Sequence, residues 1–378
     1  MPSYDLCFSA HADVESASFK LLELTPELAE LLEEAAKSLT TVTFAIKGRT
    51  GEDAVLCTTD KTYSLRSVAL SNSVLVVTPP SSGSSISTTR GIEPVVIRDE
   101  LHEILEISPS VPKLHGLISQ LRGKEYDESD EVEDNASHSD NYYSYQDAKT
   151  DVQASDEELD RGLKERRVLV INGFLRPISK DYLKTLLELV LNLLASLSLR
   201  SDNIPLDDLV SSLAQDHEVP RAVSMQLLAW FGDVDEAQGS WTMDVQAVVK
   251  EVGIGLMRHH RRDPIRKDAF LAQWKATVGD TFNPSVDLRL LTGNYLVSTT
   301  GEQENLVYFP STELPIDPAQ RLADLFRKRS RWTGDDIMPF LSEIAVGPKE
   351  RDKLLLKYCR VITDPQGVWY TSRTQYTG

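Results

Sequence analysis

The chain of 378 residues holds only three cysteines, Cys7, Cys57 and Cys359, and they are far apart. An odd, scattered set builds neither a disulfide framework nor a zinc site, and it suits a reducing compartment. No apolar run reaches the length of about 18 residues that a membrane span needs. The first residues, Met1-Pro-Ser-Tyr-Asp-Leu6, lack the basic and then apolar pattern of a secretory signal. There is no Gly-x-x-x-x-Gly-Lys-Ser/Thr loop, which excludes that route of nucleotide hydrolysis. His-Glu-x-x-His and Cys-x-x-Cys are absent too. The only histidine pair is His259-His260. Adjacent helical residues do not share a face, and Arg258, Arg261 and Arg262 beside it make a basic helix end rather than a metal site. The chain therefore reads as a non-enzyme with no metal and no cofactor.

Its charge is unevenly placed. The net charge is −18, yet residues 161–378 carry 28 acidic and 28 basic groups. Residues 124–160 alone carry 14 acidic and 2 basic groups. The acidity thus belongs mostly to one segment, and it leaves nucleic-acid binding open for the last part of the chain.

What is present is a repeat. Ile204 to Leu213, Ile265 to Trp274 and Trp332 to Leu341 each read apolar, two residues, Asp, any residue, two apolar residues, two more, apolar. The starts lie 61 and 67 residues apart, the size of a small domain. The first apolar residue suits a short strand. Asp207, Asp268 and Asp335 suit the opening turn of a helix, where unpaired N–H groups and the dipole favour a carboxylate. The pairs Asp207-Asp208 and Asp335-Asp336 are accordingly expected as caps, not as general acids. Each copy is preceded by a helical pattern (180–199, 244–257, 317–328) and followed by a second one (220–231, near 285–291, 349–360) and a hairpin. That order predicts a winged helix, a relative of the helix-turn-helix.

Upstream, Phe19 to Leu24 is strand-like, and Thr25-Pro26-Glu27 is a good helix start with Leu28, Leu31, Leu32 and Ala35 as its apolar face. Strands are expected at 42–46, 54–57, 61–66 and 74–77. The last is apolar on both faces, so both should be covered. So many short strands enclose little core, and their edges and spare apolar face invite another chain. A self-sufficient small barrel is the other reading. Leu114, Leu117, Ile118 and Leu121 suggest a short amphipathic helix that fastens onto this head or a partner. Residues 79–89 read as a flexible Ser-rich insertion. The whole is expected to be α+β: a β-rich, barrel-forming head over 1–121, an acidic disordered linker over 122–154, and a helix-plus-hairpin connector over 155–177. Three winged-helix units follow over 178–245, 244–312 and 316–374. Within the linker, like charges extend the chain as a spacer. Ser137 and Ser155, each with an acid three residues on, would suit an acid-directed kinase.

The third unit offers the best binding surface. On a helix, Lys349, Lys353, Lys357 and Arg360 fall on one side, with Leu354, Leu355, Tyr358 and Cys359 opposite. Arg327, Lys328, Arg329 and Arg331 are close in sequence and could meet phosphates. A solvated cationic face is the plain alternative to DNA contact. Lysine favours phosphate contact without sequence choice, unlike the base-reading residues of a sequence-specific transcription factor. The matching helices of the first two units carry only Arg221 and Arg289, as protein-binding or spacer modules would.

Ala54 to Leu65, Ser71 to Val77, Phe19 to Leu24 and Arg331 to Phe340 resemble the sister chromatid cohesion subunit of the alternative replication factor C clamp loader. The resemblance implies a non-motor subunit in the nucleus. Its head would interlock with a small barrel subunit and the carboxyl-terminal tail of the large ATPase subunit. Val55, Leu56, Tyr63, Leu65, Val74 and Val76 are the candidate partner contacts. The resemblance further implies docking on the catalytic subunit of DNA polymerase epsilon, binding of single- and double-stranded DNA, and indirect action on the sliding clamp. The zero net charge of residues 161–378 departs from a strongly basic DNA binder. A winged-helix scaffold of a ligase or sorting assembly, without DNA binding, is the competing class.

Overall fold

The computed structural model describes residues 4–8, 18–79, 93–129, 142–300, 303–345, 347–365 and 367–373. The chain divides into two compact units, residues 1–112 with 153–157, and residues 113–152 with 158–378. The expected insertion over 79–89 lies outside the described residues from position 80 onward.

The first unit holds β1 (Tyr4–Phe8), β2 (Leu21–Glu23), α1 (Pro26–Ser38), β3 (Ala45–Lys47), β4 (Val55–Cys57), β5 (Thr62–Thr78) and β6 (Glu93–Pro109). Helix α1 begins where local chemistry says it should. The Thr25 side chain accepts from the Leu28 N–H, Pro26 sits in the first turn, and Leu39 ends the helix at φ 54°. The sheet runs β1-β6-β5-β4-β3, with β2 also on β6. Both β1 and β2 pair parallel with β6, while the other pairs are antiparallel. The strands expected at 61–66 and 74–77 are one strand, β5, whose pairing slips between Ala69 and Val74.

The barrel expected of this head does not close in this chain. Among the described residues β3 has no strand on its outer side, so the sheet is open. The core is small: Leu28, Leu56, Tyr63 and Ile107, with Leu22, Phe44 and Leu65 packed against them. Residues 153–157 complete this unit. The buried Lys47 ammonium donates to the Ala154 carbonyl at 2.7 Å and pairs with Asp156 at 3.3 Å. Gln153 donates to the Asp53 carbonyl, and the Ser155 N–H to Thr62 Oγ1.

The second unit opens with α2 (His115–Leu121), α3 (Tyr145–Asp151), α4 (Asp156–Glu165) and the hairpin β7 (Val168–Ile171) with β8 (Phe174–Pro177). Helix α2 thus belongs here, not to the head, and its Leu117 and Leu121 are buried. The disordered linker expected over 122–154 is also corrected for its described parts. Tyr126 pairs with Ile178, and Ser144 with Phe174. Arg176, itself buried, stacks on Tyr126 and Tyr142 and donates to the carbonyls of Lys124 and Glu125. Ala148 and Val152 are buried as well. Tertiary contacts order what composition alone leaves open.

Three modules then follow. The first has α5 (Lys180–Ser196), β9 (Ile204–Pro205), α6 (Leu206–His217), α7 (Arg221–Trp230), β10 (Gly232–Asp235) and β11 (Ser240–Met243). The second has α8 (Val245–Met257), β12 (Ile265–Arg266), α9 (Lys267–Val278), β13 (Tyr295–Thr300) and β14 (Gln303–Tyr308). Two 3-10 turns, Asn283–Ser285 and Leu288–Leu291, stand where its third helix was expected. The third has α10 (Pro318–Lys328), β15 (Arg331–Thr333), α11 (Gly334–Ile337), α12 (Pro348–Tyr358), β16 (Cys359–Asp364) and β17 (Gly367–Ser372).

Each module carries a three-stranded sheet of one topology. The second hairpin strand is central, between the first hairpin strand and the short strand: β10-β11-β9, β13-β14-β12 and β16-β17-β15. The repeat residues do similar work, although Ile265 is only half-buried in its short strand. Ile204 and Trp332 are wholly buried in short strands, and Leu209, Leu213, Phe270, Trp274, Ile337 and Leu341 bury the following helical turns. Asp207, Asp268 and Asp335 all lie in first helical turns. The side-chain cap of α11 is nevertheless Thr333, and α6 and α9 have none. The aspartates therefore act through the helix dipole and through ion pairs such as Asp207–Arg221 at 2.9 Å. One continuous core runs through the first two modules, and the third has its own. Gly253 lets α8 and α9 approach closely, because a Cβ there would lie 2.6 Å from the Trp274 ring.

Candidate functional site

The candidate nucleic-acid surface is built on α12. Its buried anchor is Leu355, and Lys349, Lys353 and Lys357 are exposed. No carboxylate lies within ion-pair distance of these three among the described residues. Lys357 leans over the Tyr358 ring at 4.9 Å. Glu350 and Asp352 are exposed on the same helix, so the face is mixed rather than purely cationic. Arg360 is not on the helix as expected. The chain leaves the helix at Cys359, and Arg360 stands exposed on β16. Three β-branched residues, Val361, Ile362 and Thr363, follow it and favour the extended state.

The four neighbouring cations are not equivalent. Lys328 is exposed. Arg327 pairs with Asp324 at 2.7 Å, and Arg331 with Asp364 at 3.4 Å. Arg329 pairs with Asp336 at 3.0 Å, donates to the Val297 carbonyl at 3.0 Å and stacks on Trp332. Arg329 is thus occupied in holding the third module against β13. In the other modules Arg221 pairs with Asp207, and Arg289 with Asp287. The basic helix end after α8 is also largely engaged: Arg258 pairs with Glu251 and Arg261 with Glu313. Hydrogen bonding to Glu313 raises the Arg261 pKa further. Among the described residues no His/Cys/Asp/Glu group could hold a metal ion, and no helix is long and apolar enough to cross a membrane.

The candidate partner surface lies on the first unit. Val55, Leu56 and Tyr63 are buried in that unit's own sheet and core, so they are not an open contact face. Leu65 is half-buried against the same core. The far half of the β5–β6 hairpin differs. Val74, Leu75 and Val77 are each about two-fifths exposed, and Val76 is half-buried. Among the described residues, both faces expected to be covered are therefore only partly covered. Sequence reading missed two further residues. Ile46 is 69% exposed on the free edge strand β3, and Leu39 is 93% exposed at a left-handed helix end that costs a branched side chain energy. No local pattern singles out either residue. Ser155, in contrast, is wholly buried, which removes it as a kinase site in the folded chain, and Ser137 lies outside the described residues.

Residues 19–341 match the family described as "Sister chromatid cohesion protein Dcc1". The chain belongs to the sister chromatid cohesion protein Dcc1 family. It is 27% identical to the sister chromatid cohesion protein DCC1 of Xenopus tropicalis over 366 residues, covering 94% of this chain and 89% of the relative. The corresponding human protein is 27% identical, with 91% and 85% covered. The Saccharomyces cerevisiae protein is 24% identical, with 91% and 93% covered. Within the Dcc1 family match lie the first unit from Phe19 onward, without β1, the first two modules and the repeat residues Trp332 to Leu341 of the third. Helix α12 and its hairpin follow the matched residues.

Proposed function

We propose that the chain is a non-catalytic, nuclear subunit of an alternative replication factor C-like clamp loader acting in sister chromatid cohesion. The observation that carries this is the far half of the β5–β6 hairpin, apolar on both faces and only partly covered among the described residues. Among the described residues, eleven of the exposed large apolar ones fall in this first unit, against seven in the much longer second one. Such a surface fits completion by other chains, here the small barrel subunit and the carboxyl-terminal tail of the large ATPase subunit. Together these would make the closed barrels that the open sheet lacks, and would couple the loader to the catalytic subunit of DNA polymerase epsilon. Strand order and helix placement support reading the three modules as winged helices. The third binds DNA phosphates through Lys349, Lys353, Lys357 and Arg360. The first two, whose outer arginines are already paired, serve as protein contacts or spacers.

The test is co-expression of the full chain with the small subunit and the tail of the large one. A stoichiometric complex is expected. Val74→Glu with Val77→Glu should abolish it while leaving the melting of the second unit unchanged. Assembly that survives both substitutions, or a first unit that is soluble and cooperatively folded with no partner, would overturn the reading.

A further inference from the structure

The hairpin after α12 is unusual at its outer end. Val361, Ile362 and Val368 are each 49% exposed, and Leu356 on α12 is 63% exposed. Across the hairpin Val361 faces Tyr370, Ile362 faces Trp369 and Thr363 faces Val368. Alternation therefore puts Val361 and Val368 on one face and Ile362 on the other. Both faces of one hairpin end carry bare aliphatic side chains.

The end is also stiff. The Trp369 indole N–H donates to Asp364 Oδ1 at 2.9 Å, and the Arg331 guanidinium lies 4.3 Å from the Trp369 ring while pairing with Asp364. Trp369 is thereby covered and locked. The Asp364 carboxylate adds negative charge near the turn, which opposes seating it on a phosphate backbone. Arg360 lies on the same strand as Val361 and Ile362, and Lys357 is in the last turn of the helix that leads into it.

A ligand must then offer anionic charge to the helix and an apolar surface to the hairpin end. Nucleic acid meets both demands only where base faces are bare. Inside a duplex they are stacked away; at the last base pair before an unpaired strand, one face is open. Aliphatic wedges set against or between base pairs are an established way to use that face. We propose that this hairpin end is a wedge for the terminal base pair of a duplex that continues as an unpaired strand, with α12 on the adjoining duplex phosphates. This rests on the reading of the third module as a DNA binder.

The full chain is titrated against three labelled DNAs: a duplex closed by loops at both ends, a single strand, and a duplex with one overhang. A 2-aminopurine occupies the last paired position of the third. The overhang duplex is expected to bind about tenfold more tightly than the closed one, roughly 1.4 kcal/mol, with a change in 2-aminopurine emission. Val361→Ser, Ile362→Ser and Val368→Ser together should erase that preference and the emission change. They should leave affinity for the closed duplex and its salt dependence intact. If the triple variant melts early, Ile362→Ser alone is expected to lower the preference in part. Equal wild-type affinity for closed and overhang duplexes overturns the wedge, as does a preference that survives the substitutions in the folded variant. Failure to bind any of the three overturns the DNA reading itself.

Discussion

Arg321 Nη2 donates to Glu343 Oε2 at 2.8 Å although no part of the Arg321 side chain reaches solvent. The same guanidinium donates to the carbonyls of Ser311, Pro315 and Phe340 at 2.8, 2.7 and 2.7 Å. One side chain on α10 thus ties the segment after β14 to the turn before α12. Arg321→Met should leave those acceptors unpaired and cost about 3–5 kcal/mol, the usual range for breaking a buried charged network. Arg321→Lys keeps the charge but not the fork and should cost less. Urea unfolding of both variants measures the difference.

Replacing Lys349, Lys353 and Lys357 with Glu should weaken DNA binding without unfolding the third module, since all three are exposed. The slope of log affinity against log salt should flatten by about 0.9 for each duplex phosphate that the protein no longer neutralises. Random and defined sequences should suffer alike. An unchanged slope in the folded variant would move the DNA site elsewhere.

Shortening residues 130–141 should not change how far the modules reach. The described chain on either side is fixed to the two ends of the same short strand, β8, Tyr126 at Ile178 and Ser144 at Phe174. Those two positions on the hairpin are only about 13 Å apart along the strand direction. A Gly-Ser link of half the length should leave melting temperature and small-angle scattering radius essentially unchanged. A clear drop in either would show that the acidic stretch makes contacts of its own.

Burial pushes the Cys359 thiol up to about 11, from 9.0. Burial, with Tyr126 nearby, pushes Tyr182 up to about 12, from 10.0. In both cases the folded state holds a proton that the unfolded state releases first. The stability from each is complete below its unfolded value and is lost as pH rises toward the folded one. The second unit should therefore lose stability from about pH 9 upward, by about 2–3 kcal/mol for Cys359 alone. Cys359→Ala should flatten the curve between pH 9 and 11 and leave the later fall above 10. At pH 7.5 a thiol reagent should label Cys7, which is half-buried, well before Cys359.

Helix starts were legible because their chemistry is local. Ser179, Asp244 and Asp317 cap α5, α8 and α10 through their own side chains. The repeat around Asp207, Asp268 and Asp335 located three short strands for the same reason. What depended on distant residues was not legible. Nothing near Tyr142 announces that Arg176 will stack on it. Nothing in Val74 to Val77 tells whether its cover lies in this chain or another. Arg360 was misplaced because its spacing of three from Lys357 still fits one helical face, although β-branched residues take over just beyond it. Of the candidate partner residues, Val55, Leu56 and Tyr63 proved to be buried in their own unit, the ones a small core could least spare.

The five residues from Gln153 to Glu157 bear on how the protein is made. The first unit is not finished when its last long strand ends at Pro109. During synthesis Lys47 must wait for Ala154 and Asp156, more than a hundred residues later, to leave the ribosome. Throughout that interval Lys47 lacks its buried partners, and the long hairpin is already partly bare. A fragment that stops at residue 121 recreates that interval permanently. Such a fragment should lack the Lys47 contacts, whereas one extended to Glu165 should regain them while its hairpin still needs partners.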